Sequence, residues 1–161
     1  MCNQGANFIR NNRQLIINRY SEHSAQFANY LGSSATAVFL IEPDFYQYYS
    51  TANGNSNPLS GAYMRSLFDD IANAIKSKLP NALISWDISP WANDMPTWWG
   101  YFASSPNINF IHTSGGQNRG DLSTIQRSGL TWSYMSSLTG KKIIADSGLC
   151  YLINLIYFNF S

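Results

Sequence analysis

The hydrophobic pattern changes period several times along the chain, and each change marks an element. Over residues 6–31, Phe8, Ile9, Leu15, Ile16, Tyr20, Phe27 and Tyr30 recur at near-helical spacing. This predicts a long helix, interrupted at Asn11 and Asn12 and stopped by Gly32. Residues 37–41, AVFLI, have no polar face, which fits a parallel-sheet strand covered on both sides. Pro43 ends that ladder. The stretch TANGNSNP at 51–58 is a loop dense in turn formers. Beyond it, Tyr63, Leu67, Ile71, Ala74, Ile75 and Leu79 mark one side of a helix over residues 60–79 that Pro80 brings to an end. A strand at 82–86, a short helix at 96–102, a strand at 108–111, a helix at 130–138 and a strand at 142–145 continue the alternation.

Strand, loop and helix in regular alternation are βα units, so the expected class is α/β, with parallel strands joined by right-handed crossovers. Chain-order neighbours are expected, as in a (β/α) barrel. Four such units make half of an eight-unit barrel, hence a partial TIM-like barrel over residues 1–148. The tail at 149–161, LCYLINLIYFNFS, has no charge, is too short to span a bilayer, and is expected to lie outside the native fold.

Each expected strand ends in polar or ionisable residues: Glu42 and Asp44, then Asp87, then His112 and Thr113, then Asp146. For any one of them solvation, or for Glu42 and Asp44 a pairing with Arg65, is the plainer account. Their recurrence at successive carboxyl ends, where βα folds place their chemistry, favours one shared site.

Composition narrows what that site handles. With 161 residues one domain is expected, and 12% charged residues with a formal net charge of +1 give no footprint for nucleic acid or an anionic membrane. A neutral partner fits better. Aromatic residues reach 15%, and Tyr46, Tyr48, Trp86, Trp91, Trp98 and Trp99 cluster at or after strand ends. Rings so placed suit stacking on sugars, with His112 beside them as a further substrate contact. Cys2 and Cys150 make no disulfide framework, and with only His23 and His112 there is no metal-ligand spacing, so no metal or cofactor is expected. The opening residues lack an apolar signal segment. SGGQNRG at 114–120 lacks the Lys-Ser/Thr of a phosphate loop, and neither G-x-S-x-G nor H-E-x-x-H occurs. Carboxylates with aromatics remain, the usual apparatus for cleaving a glycosidic bond.

The run AVFLIEPD at 37–44, GAY at 61–63, and LPNALISWD at 79–87 with Trp91 just after resemble cellulase family 6 of the glycoside hydrolases, over about a third of the chain. The resemblance implies a TIM-like barrel, a β-glucan substrate such as cellulose, and secretion of a full-length form. It implies that Asp44 assists the acid and stabilises the developing oxocarbenium charge, that Asp87 sits in the same cleft, and that Glu42 is structural. A later strand ending in Asp146 is similar to the family's later aspartate. The family's upstream aspartate, implied to be the general acid, has no counterpart here, so weak oligosaccharide binding with negligible hydrolysis is expected of this chain. Open sheet edges would favour self-association. Two alternatives stand beside this reading: a retaining-clan glycosidase with Glu42 as acid/base and Asp146 as nucleophile, and a non-catalytic carbohydrate-binding protein.

Overall fold

Asn12 divides the first predicted helix in two. In the computed structural model, which describes residues 5–41, 45–50, 57–89, 92, 94–112, 124–125, 130–145 and 156–157, α1 covers Gly5–Asn11 and α2 covers Arg13–Leu31. Strand β1 (Val38–Ile41) follows, then a short helix α3 (Phe45–Tyr49), α4 (Gly61–Lys76) and β2 (Leu83–Asp87). Helix α5 (Met95–Phe102), β3 (Ile108–His112), two short strands β4 (Thr124–Ile125) and β5 (Leu130–Thr131), α6 (Trp132–Thr139), β6 (Lys142–Ala145) and β7 (Ile156–Tyr157) complete the order.

The helix starts are set by side chains that accept the first free amides. Ser60 accepts from the Tyr63 N–H at the head of α4, Asp94 from the Thr97 N–H at α5, and Thr131 from the Tyr134 N–H at α6. That last cap explains one departure from the sequence pattern: Leu130–Thr131 pair as β5 with β4, and the helix predicted from Leu130 begins only at Trp132. Gly140, in the left-handed region at φ 63°, closes α6.

The chain is an α/β protein. β1, β2, β3 and β6 lie side by side in chain order and all parallel, as the alternation predicted; β7 adds an antiparallel pair at the β6 edge. β4 and β5 form a separate antiparallel pair. Of the tail at 149–161, only Ile156–Tyr157 fall within the described residues.

One face of the sheet is aromatic and buried. Ile41, Trp86, Ile111 and Ile143 are register neighbours across the four parallel strands, all nearly inaccessible. Trp86 packs on Trp98, Trp99 and Phe102 of α5, with ring centroids 4.8–5.9 Å apart. Each such ring pair adds about 0.5–1.5 kcal/mol beyond its area burial. The opposite face carries Val38, Leu40, Leu83, Ser85, Asp87, Phe110, His112, Lys142 and Ile144, by the alternation of side chains along each strand. Val38 and Leu40 there are exposed. Between β2 and β3 the register shifts after Ile84, where the Asn109 side chain accepts the Ile84 N–H at 2.9 Å.

Helix α4 is held against α5 by a contact only glycine permits. A Cβ on Gly61 would lie 2.3 Å from the Tyr101 ring. Gly61→Ala is therefore expected to lower stability by about 1–3 kcal/mol, and to cost almost nothing in a Tyr101→Ala background. Urea unfolding of the four proteins of that cycle measures both.

Candidate functional site

The carboxyl ends of β2 and β3 bring Asp87 and His112 side by side, as direct register partners on the face opposite the aromatic layer. Neither is exposed: Asp87 is 1% and His112 2% accessible. Polar groups this deep need partners, and each has a serine. Ser85, two residues before Asp87 and on the same face of β2, lies 3.0 Å from His112 Nδ1 through its Oγ. Ser89 donates both its N–H and its hydroxyl to Asp87 Oδ2. Two donors on one oxygen fix the orientation of the carboxylate. The strand ends are also tied through the backbone, since the Ile88 N–H donates to the His112 carbonyl at 2.9 Å.

Ser89 does this from a costly conformation. Its φ of 44° makes it the one described non-glycine residue in the left-handed region, where an L side chain costs about 1–2 kcal/mol. The turn after β2 thus holds strain beside a buried carboxylate, and strain of this kind gathers at functional sites.

His112 is kept neutral. Burial pushes its pKa down to about 3. A neutral imidazole at a strand end can donate from one ring nitrogen and accept at the other, and Ser85 fixes which ring edge is taken.

The other expected site residues divide into two groups. Glu42, Asp44, Trp91, Thr113 and Asp146 lie outside the described residues. Tyr46, Tyr48, Trp86, Trp98 and Trp99 are described, and they are buried. Their rings pack on one another: Tyr46 meets Trp98 edge-on at 5.4 Å, and Trp86 lies against Trp98 at 5.9 Å. As placed here these five rings build the core between the sheet and its helices, and do not present open faces for stacking on a sugar. The exposed face expected of them fails for a physical reason: a ring large enough to stack on a pyranose gains as much by stacking on another ring, and the α5 helix supplies it. Nor is Arg65 free to pair with Glu42 or Asp44. Its guanidinium is bonded to Asp69, to the Tyr101 carbonyl and to Ser104.

Ser85 and Ser89 are the site residues that sequence reasoning missed. Ser85 had a signal, as the one polar residue inside the run ALISW. Ser89 had a weaker one, a hydroxyl two residues past a strand-end carboxylate, in reach of an Asx-type bond. Among the described residues no three His, Cys, Asp or Glu side chains gather closely enough to hold a metal ion. No family model matches this chain, and neither a curated protein nor a solved structure does.

Two measurements test this geometry. Ser89→Ala removes the hydroxyl donor and keeps the unfavourable φ, while Ser89→Gly removes the donor and relieves the backbone. Both should destabilise the fold, with the glycine variant more stable than the alanine variant by about 1 kcal/mol in urea titrations. His112 makes stability depend on pH. The unfolded chain takes up a proton below pH 6.5 and the native state does not until about 3. Stability is therefore lost as pH falls through that window, by about 1.4 kcal/mol per unit. The stability gap between the wild type and His112→Asn should shrink by about 2 kcal/mol from pH 7 to pH 5.

Proposed function

We propose that the protein is a glycoside hydrolase built on (β/α) barrel units and acting on a β-glucan, with Asp44 and Asp87 as its working carboxylates. The observation that carries this reading is the pairing of Asp87 with His112 at adjacent strand carboxyl ends, on parallel strands that run in chain order. That is the face and the end at which barrel enzymes assemble their sites. On the same face Leu83, Phe110 and Ile144 are apolar and at least partly buried, as a barrel interior requires, while Val38, Leu40 and Lys142 are open to solvent.

Hydrolysis of a glycoside needs a proton for the leaving oxygen and a carboxylate on the other side of the sugar. Asp87 accepts two hydrogen bonds from Ser89, which hold its orientation and suit it to polarise a water or balance the oxocarbenium charge. Asp44, three residues beyond the end of β1, takes in this proposal the proton-donating part of the upstream aspartate that has no counterpart here, in place of the assisting role and the negligible hydrolysis that the resemblance alone implies. His112, neutral and next to Asp87 but 2% accessible, is suited to position that carboxylate rather than to touch the sugar. Water adds across the bond: the leaving sugar gains the acid's proton, and the hydroxide equivalent ends on the anomeric carbon.

Release of reducing ends from soluble β-glucan tests the reading. Asp44→Asn and Asp87→Asn should each lower turnover by about 10²–10⁴-fold, the usual contribution of acid or base catalysis. Turnover that survives both changes and disappears in Glu42→Gln would transfer the function to the retaining-clan arrangement with Glu42 and Asp146. Retention of β-glucan with no turnover would leave a carbohydrate-binding protein.

A further inference from the structure

A second binding feature lies on the outward surface of the helices. Between α4 and α5 runs an open groove of about 550 Å³, lined by Arg65, Ser66, Asp69, Asp70, Gly100 and Tyr101 together with Ala62 and Ser104. No strand residue lines it, so it is separate from the Asp87 and His112 pair. Its volume falls in the range of small-molecule sites, about 300–1,000 Å³.

Three observations say what it could hold. The first is its charge balance. Arg65 pairs with Asp69, and Arg13 pairs with Asp70 at 2.6 Å while also donating to Ser66. Hydrogen bonds from Ser105, Arg65 and Asn107 outweigh burial and hold the Asp69 carboxyl below its ordinary pKa, so the pair stays ionic. With each cation matched to an anion, the groove selects neither a phosphate nor a metal cation. It offers fixed, paired acceptors and donors of the kind that hydroxyl groups bridge. The second is Tyr101, 37% exposed at the groove wall and steadied by its ring contact with Tyr49 at 5.7 Å. The third is Gly100. A glycine inside a helix costs about 0.5–1 kcal/mol relative to alanine, yet a Cβ here would meet nothing within 4 Å. Packing does not call for glycine at this position, whereas close approach of a flat ligand to the helix backbone does.

We infer that this groove is a secondary carbohydrate-binding site, taking a neutral stretch of β-linked glucan across Gly100 with one sugar ring against Tyr101 and its hydroxyls on Asp70, Ser66 and Ser104. The choice of glucan rests on the proposed hydrolase reading; the groove's preference for a neutral polyhydroxylated ligand does not. Such a site holds the polymer against the protein while the strand-end site acts on another part of it.

Gly100→Phe tests it, because the new side chain enters open space and fills the groove. Gly100→Ala is the control for the backbone effect and should unfold at a higher denaturant concentration than the wild type. Cellohexaose is titrated into each protein, and amide chemical shifts and affinity are followed. The expected result is perturbation of the Gly100, Tyr101 and Ser104 signals in the wild type, with affinity at these signals falling at least tenfold in Gly100→Phe. Turnover of a short aryl glycoside, which reaches only the strand-end site, should be equal in the two. Binding at these signals without any turnover upholds the groove and removes the hydrolase reading. Shifts confined to the neighbourhood of Asp87 and His112, or affinity unchanged by Gly100→Phe, overturn the groove even where hydrolysis is robust.

Discussion

Parallel strands that neighbour one another in chain order leave the crossover helices little choice of side. A right-handed crossover from β1 to β2, repeated to β3 and again to β6, carries α4, α5 and α6 to the same face of the sheet each time. The division of labour between the two faces follows from that repetition. The helix side must be apolar, and there Ile41, Trp86, Ile111 and Ile143 form a continuous buried row in which Trp86 packs on the aromatic residues of α5. The far side is released from that demand, and only there can Ser85, Asp87 and His112 collect without breaking the core.

The polar cluster is not a tolerated defect of that far side. Asp87 and His112 are as inaccessible as the isoleucines behind them, and each is matched to a hydroxyl that has no other evident reason for its position. An unpaired group at this depth costs about 1–3 kcal/mol, and the left-handed turn at Ser89 adds a backbone cost to the pairing. A strand end built only for stability would end in an aliphatic residue and a glycine. The serines at 85 and 89 keep one carboxylate and one imidazole in fixed orientations beside each other.

Much of the architecture was legible because period and punctuation are local signals. The apolar run before Pro43, the one-sided helix after the loop at 51–58 and the break at Asn12 each reflect a constraint on a few consecutive residues. α3 is not legible in the sequence, because Pro43 marks the end of a strand without announcing a helix; nor is β5, because a two-residue pairing leaves no periodicity. The site was half legible. Asp87 and His112 stand out as ionisable residues closing apolar strands, but Ser85 and Ser89 gain meaning only when β2 and β3 are set side by side. The tryptophans and tyrosines misled for a related reason. Composition counts rings without saying what each faces, and Trp86 and Trp98 face each other.

Asn109 has a larger part than its exposed place on β3 suggests. Ile108 stands opposite Ile84, and Phe110 opposite Ser85, so Asn109 is a supernumerary residue whose side chain takes the Ile84 N–H in place of a backbone carbonyl. Because side chains alternate faces at every step, that insertion inverts the facing of everything after it. Ile108 and Ile111 both reach the helices, and His112 comes out beside Asp87. An unbroken alternation from Ile108 that kept Asn109 in the ladder would turn Ile111 to the far face and drive the imidazole of His112 into the aromatic layer. The meeting of Asp87 with His112 is therefore a matter of counting as much as of chemistry, and it rests on one residue that the strand sets aside.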